Sequence, residues 1–332
     1  MPDDWEIAHG LNPNDPKDAN QDRDHDRYTN IEEYINNLAR REIVVAADGT
    51  GNFKSVQAAI DSIPDGNRQR IVIAIKEGVY RDQLRIEKSF LTLRGADRKR
   101  TKIEFEIDTS ACKIPGSVEE NCTSVRVDAS DVSIENLTVE NPVAGKGKSA
   151  ALSIVGSSTR VAVRNADIIG AGGDTLALTS RGKFYLNNVY VSGTYHIIVP
   201  RGSAYFTNCT FWCLGHKTCL FNEGITNETD KLVIRDSCIG GPSPFGLGSY
   251  FRDAAWYFID NEFSATMLPE AIFRQPAKNY QLKWGEDRIY FSGNKGPGYA
   301  WMKDNLDKSP AGKKSRVTAA WALVDWDPEK EQ

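Results

Sequence analysis

The chain has 332 residues, enough for two ordinary domains or for one solenoid with an appendage. Its net charge of −4 excludes a general nucleic-acid binder, which needs a basic field, and 40% hydrophobic residues is the share of a globular protein. No stretch is long and apolar enough to cross a membrane, and six cysteines are too few for a disulfide scaffold.

The chain opens on MPDDWE, which has neither the basic region nor the apolar stretch of a secretory signal. Residues 1–40 read as a short calcium-loop and helical segment ahead of the main body at 41–332. Counting Asp22 as position 1, oxygen ligands fall at Asp22, Asp24, Asp26, Asn30 and Glu33, with the Tyr28 carbonyl at position 7. Short carboxylates at alternating positions wrap a hard cation and a late Glu closes the shell, so the spacing predicts structural calcium. Position 6 is Arg27, where Gly normally makes the sharp turn.

From Ile43 a strand and a Gly-rich turn lead to a short amphipathic helix near Val56–Ile63, then to strands around the Gly78 turn. Between 132 and 263 one phrase recurs six times: apolar, any, apolar, any, Asn or Asp, two residues, apolar. Its anchors are Asn136, Asn165, Asn188, Asn208, Asp236 and Asn261, at steps of 29, 23, 20, 28 and 25 residues. A variable period in the twenties marks a coil that adds one rung per copy, and period-2 alternation within each copy says strand. The fold class is all-β: a right-handed parallel β-helix, offering a long groove suited to extended polymers. Cys209, Cys213 and Cys219 lie close together with Cys238 one rung later. They lack paired CxxC spacing, so buried thiols or one disulfide are expected rather than zinc.

Several segments resemble the pectin methylesterases, carbohydrate esterase family 8. They are Ala47 to Val56, Gly78-Val79-Tyr80-Arg81-Asp82, Leu93-Arg94-Gly95-Ala96-Asp97 and Asn294-Lys295-Gly296-Pro297-Gly298. The likeness covers nearly all of 43–300 and implies a right-handed parallel β-helix. It also implies a site in which one Asp attacks the ester carbonyl and a second is acid, then base. An Arg holds the nucleophile, two Gln steady the oxyanion, and no cofactor takes part. Carried over, the acid/base Asp is Asp174 in Gly173-Asp174-Thr175-Leu176, with Gly173 in place of a Gln. The nucleophile becomes His196 in Gly193-Thr194-Tyr195-His196, and Lys148 replaces the other Gln. Ser249 stands for the Arg and Phe251 for the substrate-stacking Trp. Four of five catalytic positions have changed, so the family mechanism cannot run here as written.

Asp174 and His196 are 22 residues apart, about one rung, and so can stack on one face. Three uses of them are open: a Ser249–His196–Asp174 triad, His196 as general base assisted by Asp174, or binding without catalysis. Lys148 would supply positive charge to an oxyanion or a uronate, and Arg201 would pair with an acidic sugar. Tyr195, Tyr250, Phe251, Trp256 and Trp301 are expected as exposed aromatics near the altered motifs, with Tyr250 and Phe251 facing ligand. The head resembles the calcium-binding repeats that join modules in secreted bacterial polysaccharide-degrading enzymes. These resemblances imply a secreted, periplasmic or cell-surface bacterial esterase for pectin-like acidic polysaccharide, with a fused catalytic module upstream as a further expectation. The alternatives are an inactive polysaccharide-binding module and a polysaccharide lyase.

Overall fold

Each repeat phrase folds as a strand, a corner and a second strand, and in five of the six the corner falls on the anchor Asn or Asp. Asn136, Asn165, Asn188, Asn208 and Asp236 all adopt left-handed backbone, with φ of 55°, 46°, 54°, 53° and 48°. Short polar side chains tolerate this region, where a bulkier residue is strained. Three of the corners are also tied into a hydrogen-bonded ladder. Asn136 Nδ2 donates to the Gly95 carbonyl (2.8 Å), Asn165 Nδ2 to Asn136 Oδ1 (2.7 Å) and Asn188 Nδ2 to Asn165 Oδ1 (3.0 Å).

The computed structural model describes the chain except residues 24–27, 39–41, 108–121, 144–148, 216–217, 223, 226, 277–278, 287 and 331–332. Two compact units are separated at Ile43. The first, Met1–Ile43, contains the helices Asp3–Ala8 and Asn30–Leu38 with a single 3-10 turn, Asp18–Asn20. Trp5 stacks on His9 (3.9 Å between ring centroids) and meets Tyr34 edge-on.

The second unit, Val44–Gln332, is the parallel β-helix. Among the described residues, its strands make one sheet of 16 and one of eight. The long strands Val161–Gly170 and Lys183–Gly193 each run through a corner and pair with two strands of a neighbouring rung. Register stacks like on like. Ile134, Val163, Leu186, Phe206, Ile234, Phe258 and Phe291 form one inward column. All are buried, each worth roughly 1.5–3 kcal/mol of apolar burial.

The sixth copy is shifted by one residue from the sequence reading. Leu232 pairs with Trp256 and Arg235 with Ile259, so Asp260 (φ 52°) is the corner and Asn261 is not. Trp256, Tyr257, Phe258 and Ile259 are four consecutive apolar residues, so alternation sets no frame there and strand pairing decides it. Asn261 instead lies buried and donates to the Ile234 carbonyl (2.8 Å).

The outward column Tyr185, Tyr205 and Tyr257 is covered by the C-terminal segment, including Leu306, Val317 and the helix Ala319–Leu323. Thr318 caps that helix by accepting from Trp321 N (3.2 Å). The candidate site lies on the other sheet. Its eight strands among the described residues run in order from Leu84–Ile86 through Thr123–Val127, Ala150–Ile154, Leu176–Leu178, Ile198–Pro200, Thr218–Asn222 and Gly246–Tyr250 to Phe273–Arg274.

Candidate active site

On this sheet Leu152, Leu176, Ile198, Leu220 and Gly248 are in register along one line. One residue further along each strand, on the opposite face, come Ser153, Ala177, Val199, Phe221, Ser249 and Phe273. The loops leading into these strands carry Asp174 and His196.

Two close approaches fix those loops. A Cβ on Gly193 would sit 2.0 Å from Thr175 Oγ1, so only glycine lets the second turn pack on the first. Thr194 Oγ1 donates to the Gly172 carbonyl, and the following rung is tied on through Leu214 N to Gly193 O and Ile197 N to Cys219 O, both 2.8 Å. Cys213 and Cys219 are joined by a disulfide across the loop between those two contacts. Cys209 is a buried free thiol whose pKa burial pushes up to about 12, while Cys238 is free and exposed.

His196 and Asp174 come together: Nδ1 lies 3.5 Å from Asp174 Oδ1. The imidazole is 8% exposed and sits between two rings, Tyr195 at 3.8 Å and Phe221 at 4.3 Å between centroids, the latter nearly parallel. Phe221 in turn meets the half-buried Phe251 edge-on at 5.2 Å. His196 Nε2 is buried and has no hydrogen-bond partner among the described residues. One nitrogen thus faces a carboxylate, and the other has no hydrogen-bond partner among the described residues.

Ser249 is not part of this cluster. It occupies the strand position after Phe221, so that ring stands between it and His196. Its fully buried hydroxyl instead accepts a hydrogen bond from Gln275 Nε2 (2.9 Å). The expected triad is therefore not formed, because a serine lacks the reach of the arginine it replaces. Tyr250 also departs from expectation. Alternation turns it to the inner face, where it is 5% exposed and its hydroxyl lies 3.4 Å from the Glu286 carbonyl. Trp256, expected as an exposed aromatic, is wholly buried, while Trp301 donates through Nε1 to the Pro269 carbonyl (2.7 Å). Arg201 reaches back to the Thr179 carbonyl of the preceding rung (3.5 Å). Lys148 lies outside the described residues.

The expected long groove is also different in form. Ala177, Val199, Phe221 and Ser249 are buried, and the exposed rings are at Tyr195 (37%) and Phe273 (49%). Sequence reasoning missed Phe221, Phe273 and Gln275. Phe221 was legible by stepping one rung beyond Val199. Phe273 and Gln275 follow the last repeat, where no phrase marks the strand.

In the N-terminal unit, Asp24 and Asp26 lie outside the described residues. Asn30 is buried and its Nδ2 donates to the Asp18 carbonyl (2.7 Å), which holds the start of its helix against the preceding turn. Asp18 is also buried. Its Oδ2 accepts from Asn12 N (2.8 Å), but its Oδ1 has no hydrogen-bond partner among the described residues. Among the described residues no three His, Cys, Asp or Glu side chains converge so as to hold a metal ion, and two of the expected ligands, Asp24 and Asp26, are not among them.

The family model for pectinesterase matches residues 42–228, more than half of the chain, and the chain belongs to that family. Pectinesterase 31 of Arabidopsis thaliana is 34% identical over 181 residues, covering 52% of this chain and 56% of the relative. A pectinesterase of Petunia integrifolia is 29% identical over 283 residues, covering 80% and 73%. Pectinesterase 1 of Citrus sinensis is 32% identical over 208 residues, covering 60% of this chain but 34% of the relative. The chain therefore spans between about a third and just over a half of several of these proteins. Among solved structures, the pectin methylesterase of Erwinia chrysanthemi superposes with a TM-score of 0.71 at 23% identity, over 86% of this chain and 97% of that one. The carrot enzyme gives 0.67 at 24%, over 78% and 84%. At these identities the superpositions establish the parallel β-helix fold.

Proposed function

We propose that this protein hydrolyses esters on a pectin-like acidic polysaccharide, with His196 as general base and Asp174 orienting it. The observation that carries the reading is the divided imidazole: Nδ1 faces Asp174 while Nε2 has no hydrogen-bond partner among the described residues. A carboxylate at Nδ1 selects the tautomer whose Nε2 lone pair accepts a proton. In the proposed step Nε2 takes a proton from water as its oxygen attacks the ester carbonyl. The protonated imidazole then returns that proton to the departing alkoxide, leaving a carboxylic acid and an alcohol. Tyr195 is partly exposed and packs at a tilt against the imidazole, 3.8 Å between centroids. The 3.5 Å spacing is long for a hydrogen bond, and such contacts tighten when substrate is bound. The family supports pectin as the polymer, and one solved relative is a pectin methylesterase in complex with a hexasaccharide.

A second reading, polysaccharide binding without turnover, is favoured by Ser249. A buried serine held by Gln275 stands where the family places a cation. One experiment separates the two. Wild type and His196→Ala are incubated with methylated and acetylated pectins, and methanol, acetate and unsaturated products are assayed together. Release of methanol or acetate that falls at least about 100-fold in His196→Ala supports the esterase. Undiminished release by His196→Ala refutes the role of His196. Silence in all three assays with retained binding establishes the second reading, and an unsaturated product would mean a lyase.

The proposal extends to two outer features. The N-terminal segment binds one structural calcium through Asp22, Asp24, Asp26, the Tyr28 carbonyl, Asn30 and Glu33. Export fits the Cys213–Cys219 disulfide, which persists in an oxidising compartment.

A further inference from the structure

We infer that Phe273 is a sugar-stacking residue that positions the polysaccharide on this sheet, an inference that rests on that polymer being the ligand. Phe273 follows Phe221 and Ser249 in the same register line, so its ring projects from the same face as the rings around His196. A single exposed phenylalanine needs no explanation by itself. This one lies two strand steps beyond Phe221 in one register line. Tyr195, His196, Phe221 and Phe251 follow one another at centroid steps of 3.8, 4.3 and 5.2 Å, the middle of the row is buried, and exposure returns at Tyr195 and Phe273.

The strand beneath Phe273 is held rigidly. Gln275 N donates to the Tyr250 carbonyl (2.7 Å), Gln275 Nε2 to Ser249 Oγ (2.9 Å), and Arg274 pairs with Glu286 (3.4 Å). The ring is therefore presented on a fixed platform, which spares a ligand the entropy of ordering it. The outward positions at Ala177, Val199, Phe221, Ser249 and Phe273 are uncharged, which suits the C–H face of a pyranose ring rather than an ion. The strand that Tyr195 leads into is three strand steps from Phe273, about 14 Å, so one ligand touches both rings only when it is several sugars long.

The test is binding of methylated galacturonate oligosaccharides of increasing length, and of long methylated pectin, to wild type, Phe273→Ala and Phe273→Trp. Melting temperature is recorded for each. Phe273→Ala is expected to weaken binding of the long ligands about tenfold, equivalent to about 1.4 kcal/mol, and to leave disaccharide binding unchanged. Phe273→Trp restores the long-ligand affinity, and the melting temperatures agree. Equal binding by wild type and Phe273→Ala at every length overturns the inference. So does a loss that is independent of length, that accompanies a lowered melting temperature, or that Phe273→Trp does not restore. Should wild type bind no pectin of any length, this inference falls together with the proposed ligand. Should all three proteins bind as expected but release no methanol or acetate, only the proposed catalysis fails.

Discussion

Replacing Asn165 separates two contributions to each corner of the coil. Its backbone is left-handed (φ 46°), and its side chain donates to Asn136 Oδ1 and accepts from Asn188 Nδ2. Alanine in that conformation costs about 1 kcal/mol in backbone strain. Asn165 Oδ1 also accepts from Arg98 Nη1 at a long 3.4 Å, and loss of the two shorter side-chain hydrogen bonds, partly open to water, costs about 0.5–1 kcal/mol each. Asn165→Ala should therefore destabilise by about 2–3 kcal/mol. Asn165→Gly relieves the strain but not the lost bonds, and should cost about 1 kcal/mol less. Urea unfolding followed by circular dichroism reads both as shifts in midpoint at unchanged slope. A Gly variant as damaged as the Ala variant would refute the backbone part of this reasoning. Losses under about 0.5 kcal/mol in both would make the ladder an ordinary surface feature.

Asp253 yields a pH-dependent case. Burial opposes its charge, but hydrogen bonds from Tyr280 Oη and from Trp284 and Lys283 N–H, with the Arg288 charge, hold its carboxyl below the usual range. A depressed carboxyl contributes stability that is present above its unfolded pKa and lost as pH falls through the folded one. Asp253→Asn should thus cost about 3 kcal/mol at pH 7, the gap to wild type closing below about pH 4, as thermal melts across pH will show. A gap that is constant with pH would mean the carboxylate charge is irrelevant. For the N-terminal unit, titration calorimetry should find one calcium per chain that Asp22→Ala and Glu33→Ala both weaken at least tenfold. Heat no different from buffer would dismiss calcium there.

The coil was legible because its two signals, alternation and a polar corner residue, arise from separate physical needs that coincide in five copies. At Trp256–Ile259 the apolar run erased the alternation, and only strand pairing distinguished Asp260 from Asn261 as the corner. The nearness of Asp174 and His196 followed from a spacing of about one rung. The separation of Ser249 from His196 did not, because it depends on what the intervening rung carries, and that is Phe221. Tyr250 was misread for want of parity: with Ser249 facing one side, its neighbour must face the other. Phe273 lay beyond the repeats, on a strand of two residues that no pattern announces.

The corner ladder also has a direction. Asn136 donates to the coil before it, Asn165 to Asn136 and Asn188 to Asn165, always from the later coil to the earlier one. A coil emerging during synthesis therefore meets an acceptor already in place, while an earlier coil gains little from one not yet made. Over these three coils the side-chain amide of each corner thus ties its turn to the one made before it.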